Sequence, residues 1–144
     1  MKKSLFLMAL VVFVAGGLML GLSAAPAAQE AGQAEPYTAT SFGPWNAAVA
    51  KVHVPEVTLE KMGGALMVTV KVDNHPMDAN KPHYIMWIRV EDANGKVLAK
   101  HDFKASDPAP TAVFHLNSFP EKLKVLERCN VHGIWMNEVT VKLP

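Results

Sequence analysis

Apolar and polar residues alternate with a period of two along most of the second half of this chain. Leu66, Val68, Val70 and Val72 alternate with Met67, Thr69 and Lys71, which predicts a strand with one buried face. Tyr84 to Val90 is a second run, rich in aromatic and β-branched residues. Asp92-Ala93-Asn94-Gly95 then predicts a hairpin turn, because Asn-Gly takes positive φ at low cost, and Val97 to Phe103 returns. Thr111 to Leu116, Leu123 to Leu126 and Glu138 to Leu143 complete the set, with β character beginning near Val57. Ala105-Ser106-Asp107-Pro108-Ala109-Pro110, with two prolines and polar neighbours, breaks any strand. About seven short strands with little helical periodicity predict an all-β, immunoglobulin-like β-sandwich. No internal repeat is visible.

The first residues follow a different pattern. Lys2 and Lys3 precede an apolar run from Leu5 to Leu22, and Ala25-Pro26-Ala27 supplies a small-residue cleavage motif. Residues 1–27 therefore read as an export signal cleaved after Ala27, with an uncleaved membrane anchor as the alternative. Residues 28–44, rich in Ala, Gln, Glu and Pro, read as a flexible spacer, and 45–144 as one folded domain. A periplasmic or otherwise exported location follows. Without Lys2 and Lys3 the 14 basic residues become 12 against 13 acidic ones, a formal charge of −1. There is no basic stripe, so no nucleic-acid partner is expected. Such a location is oxidising, yet Cys129 is the only cysteine. It must be buried, metal-bound, paired between chains or reactive, and metal binding explains it best.

Cys129 stands three residues before His132, with Gly133 next, so one tight turn can offer a thiolate and an imidazole to one ion. His53 lies in Lys51-Val52-His53-Val54-Pro55. His75 and His83 bound the segment from His75-Pro76-Met77 to His83-Tyr84-Ile85. All five candidates fall in predicted turns and strand ends, where loops from one end of a sandwich converge. Four histidines and one cysteine make a five-donor site, one position short of an octahedron. His101 and His115 lack such context. Met77, Met136, Trp87 and Trp135 read as packing residues or site walls.

The set His53-Val54-Pro55, His75-Pro76-Met77, His83-Tyr84-Ile85-Met86-Trp87-Ile88 and Cys129-Asn130-Val131-His132-Gly133-Ile134-Trp135-Met136-Asn137-Glu138 resembles the iron domain of superoxide reductase, the neelaredoxin and desulfoferrodoxin family. The resemblance covers roughly residues 45 to 144. It implies an immunoglobulin-like fold holding one mononuclear non-haem iron (Fe2+/Fe3+), with His53, His75, His83 and His132 as an equatorial plane and Cys129 axial. It implies one-electron reduction of superoxide to hydrogen peroxide at the open position. It also implies a small electron-donor protein, such as a rubredoxin or cytochrome, as partner; a homo-oligomer is left open. The four-cysteine module of some relatives is absent, so no second iron site is expected.

Two departures stand out. The family usually carries Glu-Lys before the first histidine, where the lysine draws in superoxide and helps supply protons. Here those positions hold Lys51 and Val52. Lys51 is the candidate for the catalytic lysine's role, displaced by one residue in a segment read as extended. The gap from His75 to His83 is also two residues longer than usual, which predicts an enlarged loop stiffened by Pro82. Two rival functions remain: an iron-binding sensor or carrier with weak catalysis, and a type 1 copper electron-transfer protein (a cupredoxin) using Cys129, His132 and Met136.

Overall fold

The computed structural model describes residues 34–142. A short helix α1 (Ala47–Lys51) leads into seven strands: β1 (Glu56–Met62), β2 (Ala65–Lys71), β3 (Ile85–Asp92), β4 (Val97–Asp102), β5 (Thr111–Leu116), β6 (Lys122–Cys129) and β7 (Gly133–Thr140). They form two antiparallel sheets, one in the order β1-β2-β5 and one in the order β4-β3-β6-β7. This is the expected all-β sandwich of immunoglobulin-like character.

The alternation read from the sequence sets which faces meet. Leu66, Val68 and Val70 of β2 are fully buried, and Ala112, Phe114 and Leu116 of β5 join them from the same sheet. From the other sheet come Ile85, Ile88, Val90, Leu123, Val125 and Cys129. Ile85 and Ile88 differ by an odd number, so an ideal strand would send them to opposite faces. The pairing with β6 shifts between Ile85 and Trp87, a bulge that returns both to the core. Trp87 is turned to the outer face, where the Arg89 guanidinium lies 4.9 Å from its ring centroid.

The ladder register gathers three chain segments at one end of the sandwich. Glu56 at the start of β1 pairs with Lys71 at the end of β2. Ile85 at the start of β3 pairs with Cys129 at the end of β6, which pairs with Gly133 at the start of β7. The segment before β1, the β2–β3 connection and the β6–β7 turn therefore emerge together, and they carry all five candidate ligands.

Several expectations are corrected. The stretch before His53 is helical, not extended. Asn46 caps it, its Oδ1 accepting from the N–H groups of Ala48 and Val49 at 3.0 and 3.1 Å, and the alanine-rich run that follows favours helix. Strand β6 continues to Cys129, past the predicted end at Leu126, because Glu127, Arg128 and Cys129 pair with both β3 and β7, whereas Glu127 and Arg128 interrupted the apolar pattern in the sequence. Strand β7 starts at Gly133 rather than Glu138, directly after His132. Within the expected spacer, Tyr37 is tied to β7 by its N–H to Ile134 at 2.9 Å and by the Met136 N–H to its carbonyl at 2.8 Å. The export-signal expectation lies outside the described residues. No helix among the described residues is long and apolar enough to cross a membrane.

Candidate metal centre

His53 follows α1 and continues its hydrogen-bonding pattern, its N–H reaching the Ala50 carbonyl at 3.2 Å. Its Nδ1 lies 2.7 Å from the Val49 carbonyl, so Nδ1 carries the proton and the Nε2 lone pair is free. His75 repeats the arrangement, with Nδ1 at 2.7 Å from the Pro76 carbonyl. Both Nε2 atoms are buried with no hydrogen-bond partner among the described residues. Burial pulls both imidazoles down to about 4, against the carbonyl bonds that raise them, so each is neutral at pH 7. A buried neutral imidazole oriented by a backbone carbonyl is the usual form of a metal-ligating histidine.

The remaining donors close the site. His83 Nε2 lies 3.1 Å from His132 Nδ1, and Cys129 Sγ lies 3.5 Å from that same nitrogen. One donor atom from each of His53, His75, His83, Cys129 and His132 can be chosen so that all lie within 4.8 Å of one another. Bonds of about 2.1 Å set at right angles hold neighbouring donors about 3 Å apart and opposite ones about 4.2 Å apart, which suits these separations. The imidazole centroids run in a four-sided ring, His53–His75 4.6 Å, His75–His83 4.7 Å, His83–His132 4.8 Å and His132–His53 4.6 Å. The diagonal from His53 to His83 is 6.3 Å, close to the side times the square root of two, as a square of imidazoles requires.

Cys129 closes β6 and is 1 % exposed. Burial raises its thiol, while the N–H groups of Val131 and His132, each 3.4 Å from Sγ, act in the other direction. A bound cation would deprotonate the sulfur outright, and the two N–H donors then stabilise the thiolate. The donor set thus fits one mononuclear metal ion, which four imidazoles and one soft sulfur would hold.

Trp135 is a site wall, as its place in the motif suggested, and the supporting roles of Trp45, Asn130, Asn137 and Glu127 were not read from the sequence. Trp135 is fully buried, donates from Nε1 to the His132 carbonyl at 3.2 Å and stacks 5.2 Å from the His53 ring. Trp45 sets its edge on the His132 ring at 4.8 Å. Asn130 and Asn137 reach across to other loops. Glu127, two residues before Cys129, is fully buried with neither carboxyl oxygen partnered among the described residues. Glu127 lies one residue past the predicted end of its strand, so the sequence reading assigned it no face.

Lys51 is exposed in the last turn of α1, and Val52 caps that helix. One step along a helix turns a side chain by about 100° rather than to the opposite face, so the displacement from position 52 to 51 is smaller than in a strand. His101 and His115 are exposed, as expected, and Met77 packs against the core. Met136 follows the inward-facing Trp135 and pairs with Leu126 on the outer face, which removes it from the copper arrangement.

The desulfoferrodoxin family pattern matches residues 46–138. The superoxide reductase of Thermococcus kodakarensis is 38 % identical over 100 residues, covering 62 % of this chain and 87 % of that protein. Among solved structures, the reduced superoxide reductase (neelaredoxin) of Archaeoglobus fulgidus is 27 % identical with a TM-score of 0.53, over 64 % of this chain and 91 % of that one. The superoxide reductase (neelaredoxin) of Ignicoccus hospitalis, at 24 % identity and a TM-score of 0.62 over 76 % and 95 % of the two chains, shares the fold. With a family match over most of its length and the donors gathered at one end of the sandwich, this chain belongs to the desulfoferrodoxin family.

Proposed function

We propose that this chain is a superoxide reductase, with His53, His75, His83, His132 and Cys129 holding one iron. The observation that carries the reading is the square of four imidazoles with a buried sulfur beside it, all donors within 4.8 Å. Superoxide is the substrate: it gains one electron and two protons to become hydrogen peroxide, with its oxygen–oxygen bond intact. Iron supplies that electron when bound. The chain's own residues do the rest. The four imidazoles would hold a divalent cation without adding charge, and the Cys129 thiolate would supply electron density to it. Trp135 holds the His132 carbonyl, and Trp45 packs against the His132 ring. Lys51, exposed two residues before His53, supplies positive charge in place of the lysine missing at Val52.

The test is anaerobic purification followed by metal analysis and a visible spectrum of the oxidised protein. One iron per chain, with a thiolate charge-transfer band that vanishes in Cys129→Ser, is expected. Stoichiometric copper with little iron, when both metals are supplied, overturns the reading. Rapid mixing with superoxide separates an enzyme from an iron carrier.

The finer parts of the reading concern place and partner. The chain is exported, residues 1–27 acting as its signal, and a small redox protein such as a rubredoxin or cytochrome reduces it. Lys2, Lys3, the Leu5–Leu22 run and Ala25-Pro26-Ala27 support export. Mass mapping of the exported protein should find its terminus near Ala28; an intact Met1 in the membrane fraction favours an anchor instead.

A further inference from the structure

The ligands come from three separate stretches of chain, and two asparagines of the β6–β7 hairpin join those stretches. Asn130 lies between Cys129 and His132. Its Oδ1 accepts the Tyr84 N–H at 2.9 Å, and its Nδ2 donates to the Pro82 carbonyl at 2.7 Å. Its own N–H reaches the Tyr84 carbonyl at 3.2 Å. These bonds grip the backbone on both sides of His83. Asn137, further along β7, donates from Nδ2 to the Pro55 carbonyl at 2.9 Å, two residues beyond His53. Each amide side chain spans a large sequence separation and meets backbone that belongs to neither ladder.

We infer that Asn130 and Asn137 are positioning residues that key the His83 and His53 loops to the hairpin carrying Cys129 and His132. The inference rests on the proposed iron site. A loop left free samples many conformations, and fixing it only at the moment of metal binding costs entropy that weakens binding. A primary amide suits the task because it offers a donor and an acceptor at one end of a short, stiff stem. The bidentate grip of Asn130 sets both the height and the tilt of the Pro82–Tyr84 backbone, and hence the spacing between His83 and His132.

The isosteric changes Asn130→Asp and Asn137→Asp test this, because a carboxylate keeps the shape and loses the donor. Proteins loaded with ferrous iron under nitrogen are mixed with a chelator, and iron release is timed. Release should be about tenfold faster or more in each variant, as for other residues that orient metal ligands. Asn130→Asp should also displace the thiolate charge-transfer band of the oxidised protein, because Cys129 and His132 flank it. Thermal midpoints of the metal-free proteins provide the control. Unchanged release and an unchanged band, with only a lower metal-free midpoint, would overturn the positioning role. Wild-type protein that takes up no iron would instead overturn the underlying reading. Where a variant fails to fold, amide exchange in the wild type decides: a Tyr84 N–H protected in the metal-free protein supports the grip, and one exchanging at the free rate overturns it.

Discussion

Glu127 illustrates how far a single side chain departs from what its type leads one to expect. A carboxyl in the core without a partner is costly when charged, and burial raises it well above the usual carboxylate range. The folded protein therefore holds a proton that the unfolded chain gives up near pH 4.3. Stability from this group is full below that pH and falls as pH rises towards the raised folded value. His53 and His75, pulled down to about 4, act oppositely: they make stability rise between about pH 4 and 6.5. Comparing the metal-free wild type with Glu127→Gln isolates the carboxyl. Urea midpoints measured from pH 4 to 8 should show Glu127→Gln gaining on the wild type as pH rises; parallel curves would show that Glu127 stays unstrained.

Lys51 is the second residue with a sharp expectation. An exposed cation near an anion's reaction site raises the encounter rate, and salt screens that gain over about 8 Å at physiological ionic strength. Lys51→Ala should slow the second-order reaction with superoxide and flatten its salt dependence, with iron content unchanged. Pulse radiolysis across a salt series measures both. An unchanged rate and slope would make Lys51 a solvated side chain only.

Among the elements, the segment around Tyr37 is docked on β7 through an isolated parallel bridge to Trp135. Its backbone pairs with β7, and its ring packs 5.2 Å from Trp135, the residue that holds the His132 carbonyl. Gly43 makes room for that ring. It has φ of +53°, and a Cβ there would meet the Tyr37 ring at 2.7 Å. Gly43→Ala combines a left-handed backbone with a steric conflict, so it should cost about 1–3 kcal/mol. The readout is a lower thermal midpoint; no change would mean that this segment contributes nothing to the folded unit. Composition concealed the element, because Ala, Gln, Glu and Pro dominate around one informative aromatic. Helix α1 was more legible: Asn46 followed by Ala47-Ala48-Val49-Ala50 is a cap and a helix-forming run, overlooked beside the stronger strand pattern.

For the whole molecule, metal and fold are linked. A cation that binds only the folded chain stabilises it by about 2.7 kcal/mol at a free concentration one hundred times its dissociation constant. Iron-loaded protein should therefore melt several degrees above the chelated form, and Cys129→Ser should lose most of that difference. Equal melting temperatures with and without iron would disconnect the donor cluster from metal binding. The core itself does not depend on the metal. Leu66, fully buried between the sheets, should cost about 2–5 kcal/mol when cut to alanine in either form.

The sequence by itself determined the strand-rich class, the inward faces of β2 and β5, and the five donor residues. Period-two alternation is a local property, and soft or imidazole donors in turns are visible as residue types at short spacing. Only the tertiary structure decided that His53, His75, His83 and His132 close into a square. Those separations depend on the register of β1 on β2 and of β3 on β6 on β7, which no short stretch encodes. The same holds for the Asn130 and Asn137 bonds, for the β3 bulge that turns Ile85 and Ile88 to one side, and for the burial of Glu127. Each is a relation between segments far apart in the chain, and its energy exists only once the two sheets have packed.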